Sequence, residues 1–269
     1  MRLSRDPAAR RRLSALAAAA ALAGAAGVAV GAGSGGKADP PHREALTAGL
    51  SLRRQLGQVL VSSFDHASVP AYLRRRLRAG ETAGVILFRE NVSAGARRVT
   101  SAIQRSARGG ALVMTDQEGG AIRTLGSAGP IPGQPAQPGP RTAGSLALRA
   151  GRQLRAAGVN VNLAPVADLT GGPALRSRTF RGSPGLVGAK VRAAVRGYDR
   201  SRVAATAKHF PGLGAAAVNT DQGPATVPFR SADLVPFRAA LSCRFWRCPV
   251  SSAVSKRRKP TRRGSRPCW

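Results

Sequence analysis

Acidic residues are scarce in this chain of 269 residues: 12 Asp and Glu stand against 43 Lys and Arg, for a formal net charge of +31. Aromatic residues make up only 4%. Before Ser242 there is neither cysteine nor tryptophan. Each shortage excludes something. Without cysteine, the first 241 residues can hold no disulfide framework and no thiolate metal site. Without aromatics interleaved among the basic residues, the stacking platforms of a nucleic-acid surface are missing. The positive charge is mostly Arg, spread along the whole chain beside heavy Ala and Gly use, so it reads as a compositional habit more than a polyanion-binding motif. No nucleic-acid partner, cofactor or metal is expected.

The ends differ from the middle. Met1 to Ala32 has a basic start, a run of small apolar residues and a Val30-Gly31-Ala32 close. This reads as a signal peptide for export to the extracellular space or cell envelope, with an uncleaved membrane anchor as the alternative. Arg10-Arg11-Arg12-Leu13 also fits a loose twin-arginine signal. Residues 33–51 form a polar, Pro/Gly-rich linker. Residues 242–269 hold all three cysteines (Cys243, Cys248, Cys268), both tryptophans (Trp246, Trp269), nine Lys/Arg and no Asp or Glu. A functional basic tail is simpler in composition, so this segment is expected to be frame-shifted and unstructured.

From about Leu52 short apolar runs alternate with stretches of helical spacing. The runs are residues 58–64, 83–88, 111–115, 159–166 and 203–210, and the helix candidates are 68–78, 93–107, 142–157, 184–198 and 231–241. Apolar runs without alternation imply burial on both faces, hence a parallel sheet under helices. The polar residues choose the architecture. Asp116 follows the third run, Asp168 the fourth, and Lys208-His209 end the fifth. Chemically loaded groups at the ends of consecutive strands favour a TIM-type (β/α) barrel over a doubly wound sheet, here incomplete, with about five to six of eight units over residues 52–241.

Four ordered motifs carry a resemblance: TDQEGG (115–120), VNVNLAPVADL (159–169), SRTF (177–180) and KHFPGLG (208–214). Together they resemble the N-terminal barrel of glycoside hydrolase family 3, with bacterial β-N-acetylhexosaminidases as the nearest members. The resemblance implies a carbohydrate substrate of cell-wall or chitin type, cleaved at a terminal β-linked sugar by a retaining mechanism. It implies that Asp116 grips sugar hydroxyls and that Arg178, Lys208 and His209 hold the ring. Glu118 reads equally as a structural partner or a ligand, while Asn160 and Asn162 read as satisfying backbone groups. Asp168 is either a helix N-cap or a site residue.

Two departures stand out. Family members often place an Arg four residues after the second Gly of TDQEGG; Thr124 stands there, and Arg123 just before it is a possible substitute. The hexosaminidases carry an Asp-Ser-His triplet after the KHFPG turn, whereas this chain reads Asn219-Thr220-Asp221. No imidazole remains there, so Asp221 is the candidate general acid/base, with sugar binding or a turn cap as its alternatives. The family's nucleophilic Asp lies beyond the helix that here covers 231–241, and the remaining segment, 242–269, has no carboxylate side chain. The chain is therefore expected to be inactive. A glycan-binding remnant is the alternative, and a basic polyanion-binding protein a more remote one.

Overall fold

Pairs of buried apolar residues at i, i+4 fix the helices around a parallel sheet. The computed structural model describes residues 49–242 apart from 109 and 170. The predicted export segment, nearly all of the linker and the basic tail past Ser242 lie outside the described residues.

The chain enters through a short helix, α1 (Leu52–Gly57), into strand β1 (Val61–Ser62). Helix α2 (Ala71–Ala79) buries Leu73 and Leu77 and leads to β2 (Gly84–Leu87). Helix α3 (Ala96–Ser106) buries Val99 and Ile103 and leads to β3 (Leu112–Thr115). Helix α4 (Pro140–Ala156) and helix α5 (Pro184–Arg200) both start on a proline, whose missing N–H costs nothing in a first turn. In α5 the Ser183 hydroxyl also accepts from Leu186 N at 3.4 Å. Between β3 and α4 lies a two-stranded antiparallel hairpin, β4 (Gln117–Gly119) and β5 (Ile122–Arg123). Strand β6 (Val161–Asn162) precedes α5, and β7 (Ala204–Ala205) comes after it. A 3-10 turn (Ser231–Leu234) opens helix α6 (Val235–Leu241).

The main sheet runs β1-β2-β3-β6-β7, with every pair parallel. Strand order follows chain order without reversal, which is the winding of a barrel and not of a doubly wound sheet. The described fold is thus a partial TIM-type barrel with five strands, and β1 and β7 have no outer strand partner among the described residues. Leu73, Val85, Ile103, Val113, Leu154, Val191 and Val203 fill the layer between sheet and helices with no exposed surface. Each such side chain stabilises the fold by roughly 1.5–3 kcal/mol.

The strands are shorter than their apolar runs, and two asparagines show why. Asn160 Oδ1 accepts from Val113 N at 2.7 Å, and its Nδ2 donates to Ala111 O at 2.9 Å. Asn162 repeats the arrangement on Gln117, accepting from its N and donating to its O, both at 3.0 Å. Side-chain amides thus take over main-chain pairing, as expected for these two residues, and the regular ladder stops at Asn162. The pairings Leu87–Thr115, Thr115–Asn162 and Asn162–Ala205 put four neighbouring strand ends level. The loops after these ends therefore leave from one rim.

Candidate active site

Asp116, Gln117 and Glu118 leave the rim after β3, and the turn into the β4–β5 hairpin points them differently. Gln117 is fully buried and structural: its Nε2 donates to the carbonyls of Leu125, Ala128 and Gly129 at 3.0, 2.9 and 3.0 Å. Glu118 is buried beside the site. Its Oε2 accepts from Arg178 Nε at 3.0 Å, and its Oε1 from Arg178 Nη2 at 2.7 Å. Lys208 Nζ lies 2.7 Å from the same Oε1 and also donates to Asp116 Oδ1. One buried carboxylate therefore holds two cations, and the second cation holds Asp116.

The other half comes from the strand ends after β6 and β7. Val166 and Lys208 pair in parallel beyond the named strands, which seats the KHFPG turn beside the loop carrying Asp168. Asp168 has no exposed surface. One of its oxygens accepts from His209 N at 2.9 Å and from His209 Nδ1 at 2.7 Å, and the other from Leu213 N at 2.6 Å. A carboxylate is acceptor-only, so Nδ1 donates to it and Nε2 faces the site. Nε2 lies 3.4 Å from Arg178 Nη2. Of the two alternatives left open for Asp168, the helix cap is excluded: it anchors the imidazole and the turn. That turn also needs Gly214, since a Cβ there would stand 1.6 Å from Leu169 O.

Charge decides which protonation states this cluster holds. Burial pushes the Glu118 pKa up, but the Arg178 hydrogen bonds and the Lys208 charge outweigh it, and the net shift is downward. Glu118 is therefore a fixed anion and no proton donor near neutral pH. Burial pulls the other way on Arg178, and the Glu118 carboxylate reverses it to a net upward shift; Asp116 and Asp221 add to that effect through their charge. Beneath them, burial raises the Tyr198 phenol far above its usual range, with a small opposing contribution from Asn162. It stays neutral, with its hydroxyl 3.4 Å from Gln117 O.

Asp116, Asp168, Arg178, Lys208 and His209 thus join in one run of contacts through Glu118. Asp221 stands apart at the rim, exposed, with Asn219 Nδ2 donating to its Oδ2 at 3.1 Å. Arg123 does not turn toward the cluster. Its Nε donates to Gly120 O at 3.0 Å and its Nη1 to Gly126 O at 2.8 Å, so the guanidinium braces its own hairpin. Thr124 does similar work, donating from Oγ1 to Asp116 O at 3.0 Å. Glu118 as the joint between the cations is the feature that sequence reasoning left open. The available signal was a second carboxylate two residues after Asp116, in a chain with so few acids.

Comparison with known proteins identifies the family. Residues 51–245 match the Glycosyl hydrolase family 3 N terminal domain. A beta-hexosaminidase of Stenotrophomonas maltophilia is 32% identical over 72% of this chain and 63% of its own. A secreted glycosyl hydrolase of Arthroderma benhamiae is 31% identical over 71% and 60%. Among solved structures, a family 3 beta-N-acetylglucosaminidase from Paenibacillus superposes with a TM-score of 0.67 at 30% identity, covering 72% of this chain and 40% of that one. The chain spans about three fifths of the length of these two sequence relatives. By its motifs, its strand order and this match, the chain belongs to glycosyl hydrolase family 3, in the form of its N-terminal domain.

Proposed function

We propose that this chain grips a terminal β-linked sugar, N-acetylglucosamine of a cell-wall or chitin-type glycan, as the carbohydrate-binding part of a β-N-acetylhexosaminidase-like site. The observation that carries this is the convergence of Asp116, Arg178, Lys208 and His209 on one rim, tied together by Glu118 and Asp168. The Asp116 side chain is 27% exposed, ready to accept from two adjacent hydroxyls, and Lys208 already sets its orientation. Arg178 and His209 Nε2 present a donor and an acceptor to neighbouring hydroxyls. Preformed by their own ion pairs, these groups lose little freedom when a sugar arrives.

Asp221 is the acid/base in this reading. Neither Arg178, Lys208 nor His209 contacts it, and its charge acts on Arg178. Retaining hydrolysis requires a second carboxylate to attack the anomeric carbon while the first protonates the glycosidic oxygen. Asp116 and Glu118 are held by cations and Asp168 by His209, while residues 234–269 contain no Asp or Glu. The chain accordingly binds sugar and does not turn it over. The basic-start apolar segment at residues 1–32, together with a relative named as secreted, supports an exported protein.

The test is hydrolysis of a nitrophenyl N-acetyl-β-glucosaminide by the full chain. Nitrophenolate should appear no faster than in buffer. Turnover that vanishes in Asp221→Asn would contradict the non-hydrolytic reading and leave Asp221 as the acid.

A further inference from the structure

In this fold helices α1 to α5 each run back to the start of a following strand of the main sheet, and all five strands of that sheet are parallel. The C-termini of α2 to α5 therefore all lie at the end of the barrel opposite the candidate active site. Each of those last turns carries exposed arginine, including Arg78, Arg105, Arg155 and Arg200. Helix dipoles account for this much, because cations favour helix C-termini.

They do not account for the residues just past the helices. The four helix-to-strand turns share one geometry, in which the second residue beyond or at the cap returns its N–H to a carbonyl three residues back: Gly80 to Leu77, Arg108 to Arg105, Gly158 to Arg155 and Arg202 to Asp199. All four take the left-handed backbone conformation, with φ of 72°, 55°, 86° and 61°. Two of these positions hold glycine, which adopts it freely. The other two hold arginine, whose Cβ opposes it. Both Arg108 and Arg202 are exposed. Local folding preference favours glycine at both, so arginine there places two exposed cations at this end of the barrel against that preference.

At this end the described acids are few. Glu81 is engaged by Arg53 at 3.0 Å, and Asp199 is half-buried. The short helix α1 lies here too, since its Arg54 guanidinium stands against Gly80. Beside it Leu52, Leu56 and Val59 are 69%, 53% and 78% exposed. Arginines around protruding leucine and valine are the composition of a surface that rests on lipid headgroups and inserts shallowly. A dissolved polyanion has no use for the apolar part. Among the described residues no helix is long and apolar enough to cross a membrane.

We propose that the strand-N-terminal end of this barrel docks on an anionic lipid surface, which turns the candidate active site outward. This inference is independent of the proposed sugar. Its experiment is co-sedimentation of the full chain with vesicles of equal parts phosphatidylglycerol and phosphatidylcholine, and with phosphatidylcholine alone. The N-terminal segment is present in every variant, so its contribution is common to all. Arg108→Gly/Arg202→Gly removes two charges while easing the backbone. Arg98→Gln/Arg141→Gln removes two from the first turns of α3 and α4, at the other end.

The first variant should bind the anionic vesicles more weakly by about fivefold per arginine, keep an unchanged or higher unfolding midpoint, and match wild type on neutral vesicles. The second should bind as wild type does. Leu52→Gln should weaken binding further at high salt, where charge attraction is screened. Equal losses in the two double variants, or equal wild-type binding to neutral and anionic vesicles, would overturn the proposal. So would binding of a short DNA duplex, with no vesicle binding, that falls in the first variant.

Discussion

Glu118 meets Arg178 two-point, Oε2 to Nε at 3.0 Å and Oε1 to Nη2 at 2.7 Å, and the same Oε1 lies 2.7 Å from Lys208 Nζ. A single buried anion thereby fixes the spacing of two cations that come from different loops. Removing its charge leaves both cations under-compensated in a poorly solvated place. Glu118→Gln is expected to lower stability by about 3 kcal/mol in urea unfolding. A loss near that of a surface substitution, within about 0.5 kcal/mol, would mean the joint is not needed.

The same pair sets a pH dependence. Glu118 titrates near 4.5 in the unfolded chain and lower in the fold, because its two cations outweigh the opposing effect of burial. A depressed folded pKa gives stability that is complete above the unfolded value and lost as pH falls through the folded one. The unfolding midpoints of wild type and Glu118→Gln should therefore differ by a constant amount near neutral pH. Below about pH 4.5 the gap should close. A gap that widens with acid would contradict the pair.

Asp168 acts through His209. Asp168→Asn keeps the shape but turns one of two accepting oxygens, one serving His209 and the other Leu213, into an amide nitrogen, for an expected loss of about 2 kcal/mol in stability. The ring hydrogen should also leave Nδ1 for Nε2, which nitrogen chemical shifts of His209 would report. Unchanged shifts would show that something else orients the ring.

Asn162→Leu tests the side-chain takeover of the sheet. The substitution strands Gln117 N in the core, at an expected cost of about 1–3 kcal/mol, and leaves Gln117 O only the 3.4 Å contact with the Tyr198 hydroxyl. Asn160→Leu should cost less, because Asn160 is only half-buried. Equal small losses would mean water replaces both amides.

Much of this architecture is readable from the chain itself. Buried runs such as residues 83–88 and 111–115 have no polar alternation, and the loaded residues Asp116, Asp168 and Lys208 sit at the ends of such runs. The register that brings those ends level does not show in composition. Neither does the β4–β5 hairpin, since its two strands total five residues and Gly119-Gly120 reads as any turn. Arg123 illustrates the resulting error in expectation. One position before the place where family members often carry an arginine, it closes the hairpin on its own carbonyls. Glu118 was ambiguous for another reason: its partners Arg178 and Lys208 lie 60 and 90 residues on, brought near only by folding.

Asp116, Arg178, Lys208 and His209 are the four side chains proposed to hold one sugar ring. Calorimetric titration of the full chain with N-acetylglucosamine measures this most directly, comparing wild type with Asp116→Ala and with Arg123→Gln. Saturable binding that is lost in Asp116→Ala and kept in Arg123→Gln is the predicted result. Binding that is indifferent to Asp116, or no binding by a chain whose circular dichroism shows it folded, would contradict it.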